Sequence, residues 1–243
     1  MFKNKRVRQI LIIGFWLILW ELLSRLLHNQ LILVGPTEVL LSLAALLPTG
    51  SFWLSILFSS IKIALGFISA FLLGMILGCL SFRFHWLKEL LEPILLLLKS
   101  IPVASFVILA LIMIGSPGLS IFISFLIVLP IIYTNTMTGL SNTEEKLLEM
   151  ASVFRVSFWK KVRFLYLPPL KLQLETACKT ALGMSWKSGI AAEVIGVPNM
   201  SIGEKLYMAK IYLNTPDLFA WTIVILILSA IFEWLFLKLL KHI

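Results

Sequence analysis

Charged residues are scarce in this chain of 243 amino acids, where Asp, Glu, Lys and Arg together make up 14% of the sequence. Hydrophobic residues make up 60%, and the mean hydropathy is +1.00. A soluble globule of this size has no way to bury so much apolar surface, so the composition excludes one. The alternating pattern of a β-barrel is also absent. Because a backbone in lipid must satisfy its own hydrogen bonds, we predict an all-α, polytopic membrane helical bundle.

Residue types suited to catalysis or metal binding are few. The two cysteines, Cys79 and Cys178, lie in apolar stretches, and the sequence has no G-x-x-x-x-G-K-[S/T] phosphate loop. The three histidines, which show no ligand spacing, are His28, His85 and His242. We therefore expect no disulfide framework, no metal site, no catalytic residue and no cofactor in this chain.

Six apolar segments are long enough to span a bilayer, which requires about 20 residues. They are 9–27, about 56–82, 90–115, 119–140, 172–196 and 217–237. The fifth segment has the weakest hydropathy signal, because it contains Glu175, Lys179, Lys187 and Glu193. The sequence thus predicts about six transmembrane helices.

Lysine and arginine are distributed unequally between the two sides of these spans. With a cytoplasmic N-terminus, only two basic residues lie outside, Lys205 and Lys210, against fourteen inside. The inner ones are Lys3, Lys5, Arg6, Arg8, Arg83, Lys88, Lys146, Arg155, Lys160, Lys161, Arg163, Lys171, Lys238 and Lys241. Since cytoplasmic loops are enriched in Lys and Arg, we predict that both termini and the segment 141–171 are cytoplasmic. Topology then explains the net charge of +9 without a nucleic-acid partner.

The inner segment 141–171 is too long for a plain turn between two spans. Apolar residues recur there at helical spacing beside acidic ones, at Leu147, Leu148, Ala151 and Phe154 and at Glu144, Glu145 and Glu149. This pattern predicts a short amphipathic helix with Thr143 as its N-cap. From the residues alone two interpretations stay open. The helix either lies on the membrane surface, with Trp159 at the interface, or docks on a partner protein.

Residues 149–168, EMASVFRVSFWKKVRFLYLP, follow the spacing of the EAA motif, which is E-A-A, three residues, G, nine residues, I, one residue and L-P. The matching positions are Glu149, Ala151, Leu165, Leu167 and Pro168. The segment resembles the cytoplasmic loop of bacterial ATP-binding cassette (ABC) importer permeases. Met150 replaces the second alanine, and Arg155 stands where glycine is usual. Glycine there allows a left-handed turn, so either the turn is built differently here or Arg155 is strained.

The resemblance covers most of the chain from about Val34 onward. Segments that look like the nitrate, sulfonate and taurine branch of these permeases are SIKIALGF (60–67), EPILLLLKSIP (92–102), PIIYTNTMTGL (130–140), LGMSWKSGIAAEVIG (182–196) and DLFAWTIVILILS (217–229). The resemblance implies the fold of a type I ABC importer permease. It divides the chain into an N-terminal tail with the first helix, 1–33, and a permease core, 34–243, that contains the coupling loop.

The resemblance also implies partners and a role for each part. Two copies of the permease form the pore, two cytoplasmic ATPases bind ATP and Mg, and an extracytoplasmic binding protein delivers the solute across a bacterial inner membrane. The residues it assigns to ATPase coupling are Leu148, Glu149, Met150, Ala151, Phe154, Arg155, Leu167 and Pro168. The expected cargo is a small anion such as nitrate, a sulfonate or taurine, or a small heteroaromatic vitamin precursor.

Two other classes of function are alternatives to this one. An ion-coupled secondary transporter would need inverted repeats around broken helices, and a membrane-bound enzyme would need clustered catalytic groups. Neither is recognisable in the sequence.

Ionisable residues at membrane depth are candidate functional sites. Pairing at a spacing of four explains Glu21 with Arg25 and Glu175 with Lys179. Lys99 precedes Pro102, which interrupts helical hydrogen bonding, so it either faces a cavity that attracts an anion or pairs with Glu193 or another acid. The candidate residues of the translocation pathway are Lys99, Pro102, Ser185, Trp186 and Glu193.

Two further patterns predict packing and a surface helix. Gly66, Ala70, Gly74 and Gly78 recur every four residues, which is typical of close contact between helices. The outer segment 197–216 predicts a short helix beginning near Ser201. That helix either shields the bundle or, by the resemblance, forms part of the docking surface for the binding protein.

Overall fold

The computed structural model describes residues 5–27 and 33–242, without the side chains of residues 5–7, 10, 27, 241 and 242. The predictions made for Lys3 and His28 therefore lie outside the described residues, and those for Lys5, Arg6, Lys241 and His242 concern side chains that are not described. Within the described ranges the chain is helical and has no strand, which confirms the all-α prediction. The helices are α1 Lys5–Leu27, α2 Pro36–Leu46, α3 Gly50–Arg83, α4 His85–Ser100, α5 Val103–Ile114, α6 Leu119–Ser141, α7 Glu145–Val153, α8 Phe158–Lys161, a π-helical turn Val162–Tyr166, α9 Leu167–Gly196, α10 Ile202–Ile211 and α11 Thr215–His242.

In the described part of the chain, three helices are both long and apolar enough to cross a membrane: α3, α6 and α11. A fourth span results if α4 and α5 are counted together. The predicted first and fifth spans lie within α1 and α9. Helix α9 has 30 residues and is thus long enough to cross. Its charged side chains lower its hydropathy, as the sequence predicted.

The third predicted span, 90–115, is broken beside Pro102, where the sequence indicated an interruption. The chain breaks between Ser100 and Val103, and the axes of α4 and α5 differ by 105°. Proline at position 102 has no amide to donate and forces the preceding residue into an extended conformation. Ile101 accordingly has φ −72° and ψ 130°.

Helices α3, α6 and α9 form the centre of the bundle. A Cβ on Gly66 would collide with the Ile121 carbonyl, and one on Gly78 would lie 2.7 Å from the Thr136 Cβ. Helices α3 and α6 therefore run in the same direction. Gly139 approaches Leu170, and a Cβ on Gly189 would lie 2.7 Å from the Ser124 hydroxyl, so α9 runs against both. The prediction that the small residues of α3 pack against a neighbouring helix is confirmed, and that helix is α6.

This arrangement gives the bundle two ends. One end holds α7, α8 and the last turns of α3 and α6, and we call it the α7 end. The other end holds α10 with the first turns of α3 and α6, and we call it the α10 end. Ser201 is the N-cap of α10, and its hydroxyl accepts a hydrogen bond from the Glu204 amide, as predicted. The helix ends at Ile211, before the end of the segment 197–216 in which it was predicted.

Candidate functional site

The segment that matches the EAA motif forms two short helices, α7 and α8, separated by a turn. The prediction that Thr143 caps α7 is wrong, because its hydroxyl donates to the Leu140 carbonyl at 3.0 Å. Glu144 occupies the N-cap position in an extended conformation and makes no side-chain capping bond. The helix therefore begins without the hydroxyl cap that its sequence suggested.

Arg155 forms the turn after α7 in a left-handed conformation, with φ +51°. The Arg155 amide donates to the Ser152 carbonyl at 3.0 Å, and the Val156 amide donates to the Ala151 carbonyl at 2.9 Å. A residue with a Cβ occupies this region at a cost of about 1–2 kcal/mol relative to the right-handed helix. The chain thus makes the turn that glycine would favour, with arginine under strain.

Large apolar side chains on this segment are exposed, although the segment lies outside the spans. We call the following residues the apolar patch: Met150 (51% exposed), Val153 (78%), Phe154 (74%), Phe158 (69%), Trp159 (79%) and Phe164 (67%). Exposed apolar surface of this kind, beside polar residues, is typical of a site that contacts a protein or a membrane. The alternation of Phe and Trp with basic residues in 154–164 is the sequence signal for the patch.

The predicted coupling residues differ in exposure. Ala151 is buried and Leu148 is half-buried, so both attach α7 to the bundle. The remaining six are exposed at the α7 end: Glu149, Met150, Phe154, Arg155, Leu167 and Pro168. Leu167 and Pro168 lie in the first turn of α9, beyond the π-helical turn.

A cavity of about 410 Å³ lies between α4 and α6 at the α7 end. Its polar lining includes Lys88, Glu92 and Lys99 from α4 and Tyr133, Thr138 and Ser141 from α6. Among the described residues, the buried Tyr133 hydroxyl has no hydrogen-bond partner. Two cations and one carboxylate give the lining a positive balance, which favours an anion. Lys88 and Tyr133 were not identified from the sequence, because only the packing of α4 against α6 brings them beside Lys99.

Lys99 lies in this cavity and is exposed. Within the described residues it makes no ion pair, so the alternative pairing with Glu193 is not formed. Pro102 lies just beyond, at the bend between α4 and α5. These two of the five candidate pathway residues are therefore neighbours.

The other three pathway candidates, Ser185, Trp186 and Glu193, are buried in α9 and do not line that cavity. The Ser185 carbonyl accepts a hydrogen bond from the Ser124 hydroxyl at 3.2 Å. The structure thus separates the five candidates into two groups, one beside the α4–α6 cavity and one inside the helix bundle.

Glu193 accepts hydrogen bonds at Oε2 from the Ser59 hydroxyl at 2.6 Å and from the Gly203 amide at 3.2 Å. The side chain of Lys62 is close enough to interact electrostatically with this carboxylate. The two positions are 131 residues apart in the sequence. No local pattern reveals such a contact.

The two pairs expected at a spacing of four have different outcomes. Arg25 and Glu21 form an ion pair with a nitrogen–oxygen distance of 2.9 Å, as predicted. The pairing of Glu175 with Lys179 is wrong, since these two described residues form no ion pair.

Sequence comparison finds several permeases that are similar to this chain. The permease SsuC of Bacillus subtilis, named for aliphatic sulfonates transport, is 23% identical over 227 residues, covering 92% of this chain and 81% of SsuC. The bicarbonate transport system permease protein CmpB of Synechococcus elongatus is 30% identical over 159 residues, covering 65% of this chain and 56% of CmpB. The nitrate import permease protein NrtB of Leptolyngbya laminosa is 28% identical over 147 residues, covering 60% of this chain and 52% of NrtB.

Residues 70–242 match the profile of the binding-protein-dependent transport system inner membrane component. The match contains α4 to α9, with the bend, the cavity and the segment with the apolar patch. The match covers more than half of the chain, so the fold is that of a type I ABC permease. The chain belongs to the family of binding-protein-dependent transport inner membrane components.

Proposed function

We propose that this chain is the pore-forming subunit of an ATP-driven importer that takes up a small solute delivered by an extracytoplasmic binding protein. The observation that carries the proposal is the apolar patch at the α7 end, on the segment that matches the EAA motif. A surface of exposed Phe and Trp side chains on short helices fits a groove of a partner. The partner is an ATPase, which binds ATP and Mg and performs the hydrolysis.

The mechanism that we propose is alternating access in a homodimer that binds two ATPases. Exposed residues of α7 and α8 lie on the ATPase, while the buried Ala151 attaches α7 to the bundle. A displacement of the ATPase would therefore move α7 and, through the π-helical turn, α9. The distribution of Lys and Arg supports a cytoplasmic location for the α7 end and for both termini.

The cargo that fits best is a small anion. The relatives SsuC, CmpB and NrtB are named for sulfonates, bicarbonate and nitrate, which are anions. The α4–α6 cavity supplies two lysines and the unpartnered Tyr133 hydroxyl, which suit an anion better than a neutral heteroaromatic vitamin precursor. We propose that the pathway passes Lys99 and Pro102 at this cavity.

Reconstitution tests the proposal. The chain is coexpressed with the ATPase of its gene cluster, purified, and placed in vesicles that contain ATP. Uptake of radiolabelled nitrate, bicarbonate and an alkanesulfonate is measured with and without the binding protein of the same cluster. We expect uptake that needs both ATP and the binding protein. Uptake driven by a proton or sodium gradient without ATP would instead identify a secondary transporter.

The contact with the ATPase is tested separately on the apolar patch. Phe154→Ser removes one of its most exposed aromatic side chains and should lower the amount of ATPase that copurifies. Phe154→Leu keeps an apolar side chain and serves as the matched control. Equal ATPase retention in the two variants would favour the alternative in which the segment lies on the membrane surface.

A further inference from the structure

The outer helix α10 is attached to two membrane helices by hydrogen bonds at its first turn. The Ile202 amide donates to the Ser59 hydroxyl of α3 at 2.9 Å, and the Gly203 amide donates to Glu193 Oε2 of α9 at 3.2 Å. The Ser59 hydroxyl in turn donates to the same carboxylate oxygen at 2.6 Å. The first amides of a helix have no partner within the helix, so α3 and α9 supply the partners that α10 needs.

These contacts are enclosed. Ser59, Glu193 and Ile202 each have 0% of their surface exposed. Gly203 leaves no space for a Cβ, which would collide with the Glu193 Cβ and backbone. Since water does not reach these groups, breaking a bond leaves a buried amide or carboxylate oxygen without a partner, which is strongly unfavourable.

Lys62 of α3 lies near this carboxylate. Lys62 is one turn after Ser59, is 9% exposed, and places its Nζ 4.0 Å from the centroid of the Phe58 ring. It interacts electrostatically with Glu193, although the two groups form no direct ion pair.

The opposite side of α10 is open. Met208 and Ile211 are exposed, and Tyr212 (78% exposed) and Leu213 (64%) follow at its end. This surface is at the α10 end of the bundle, which is remote from the apolar patch. A partner that binds the open side of α10 therefore contacts a helix that the Ser59 and Glu193 side chains hold in place.

We propose that Glu193 and Ser59 are positioning residues that fix α10 to α3 and α9 and thereby hold this helix in the arrangement on which the binding protein docks. The proposal rests on the proposed function. It also assigns Glu193 a role other than contact with the solute, because the carboxylate is enclosed and already engaged by two donors.

The attachment of α10 is measured without the binding protein. Amide hydrogen exchange of residues 202–211 is followed by mass spectrometry in the purified permease–ATPase complex. Ser59→Ala should speed exchange in this helix at least about tenfold, because the Ile202 amide loses its acceptor. Ser55→Ala is the matched control, since Ser55 is also buried on α3 and its hydroxyl has no partner in the described part of the chain. Equal exchange in the two variants would overturn the proposal.

The functional consequence is measured as transport against the concentration of the binding protein from the same gene cluster. Ser59→Ala should raise the half-saturating concentration about tenfold and leave basal ATP hydrolysis and the maximal rate within about twofold. Faster exchange in α10 with an unchanged half-saturating concentration would overturn the link to docking. If the wild type needs no binding protein, the proposed function fails, while the exchange result still decides the attachment.

A pair of Glu193 variants separates positioning from a role of the charge. Both carry Lys62→Met, which prevents an unbalanced buried cation. With it, Glu193→Gln keeps an oxygen acceptor for Ser59 and Gly203, whereas Glu193→Ala removes it. We expect the variant with Glu193→Gln to have a half-saturating concentration of the binding protein close to that of the wild type. The variant with Glu193→Ala should have a higher one. Equal defects in the two variants would mean that the charge is required and that the positioning role is wrong.

Discussion

Gly78 of α3 and Thr136 of α6 are so close that a Cβ on the glycine would lie 2.7 Å from the threonine Cβ. The distance is shorter than real carbon contacts allow, so only glycine permits the two backbones to approach this far. Gly66 and Gly74 make similar approaches to α6. Close contact between α3 and α6 from Gly66 to Gly78 depends on these positions. Membrane helices gain stability from such packing rather than from hydrophobic exclusion.

Gly78→Ala should destabilise the permease. Either α3 or α6 has to shift to accept the added methyl group, and overpacking of this kind costs about 1–3 kcal/mol. Gly183→Ala is the control, because a Cβ there meets no atom within 4 Å. Thermal unfolding of the detergent-purified chain measures the difference. A loss of stability in both variants would mean that the contact at Gly78 is not the cause.

Single cysteines at Asn142 and Asn199 should be labelled from opposite sides of the membrane. Both residues are exposed, at the α7 end and the α10 end respectively, and the distribution of basic residues predicts a cytoplasmic α7 end. The background lacks Cys79 and Cys178, the two free cysteines. A membrane-impermeant maleimide added to intact cells should label only position 199. Labelling of both positions would exclude the proposed topology.

Glu149→Lys should prevent uptake while leaving insertion intact. Glu149 is exposed on α7. A carboxylate at an ATPase contact can pair with a basic group of the ATPase, and removing one member of such a pair costs about 2–5 kcal/mol of binding free energy. ATPase retention during purification should therefore fall at least about tenfold. Glu89→Lys is the control, since it changes the charge of an exposed acid on α4, outside the segment of the patch.

The alternative for Glu149 has a distinct outcome. A helix that only rests on anionic lipid would tolerate or favour an added positive charge. Full ATPase retention with normal uptake in Glu149→Lys would therefore show that α7 does not couple to the ATPase.

Lys99→Gln should slow uptake of an anion at least about tenfold without changing assembly or basal ATP hydrolysis. The lysine lines the α4–α6 cavity and makes no ion pair within the described residues, so its charge is available to a solute. Lys99→Arg keeps the charge and should retain most of the uptake. A variant that fails to accumulate would indicate a structural role, and unchanged uptake would remove Lys99 from the pathway.

Arg155→Gly should leave ATPase retention unchanged and raise thermal stability by no more than about 1 kcal/mol. Glycine relieves the left-handed conformation at φ +51°, and its greater freedom in the unfolded chain offsets part of that gain. Arg155→Ile should lower ATPase retention, because a β-branched residue is a genuine outlier in this region. Equal retention in both variants would mean that the turn adapts to its residue.

The membrane class, the helical segments and the short helix α7 could be predicted from local patterns. Length and hydropathy identify α3, α6 and α11, and the spacing of small residues predicts close packing along α3, because both signals lie within one helix. The proline at position 102 indicated an interruption. The 105° bend was not predictable from it, because the direction of α5 depends on its packing against α6 and α9.

The site residues divide in the same way. The sequence by itself determined the EAA spacing, the exposed Phe and Trp residues among basic ones, and a lysine beside a proline. Only the tertiary structure decided that Lys99 shares a cavity with Tyr133. It also decided that Glu193 accepts a hydrogen bond from Ser59, which is 134 positions away in the sequence. It also placed Arg155 in a left-handed turn. Contacts between distant segments depend on how helices pack against one another, and hydropathy and spacing within a single helix contain no information on that packing.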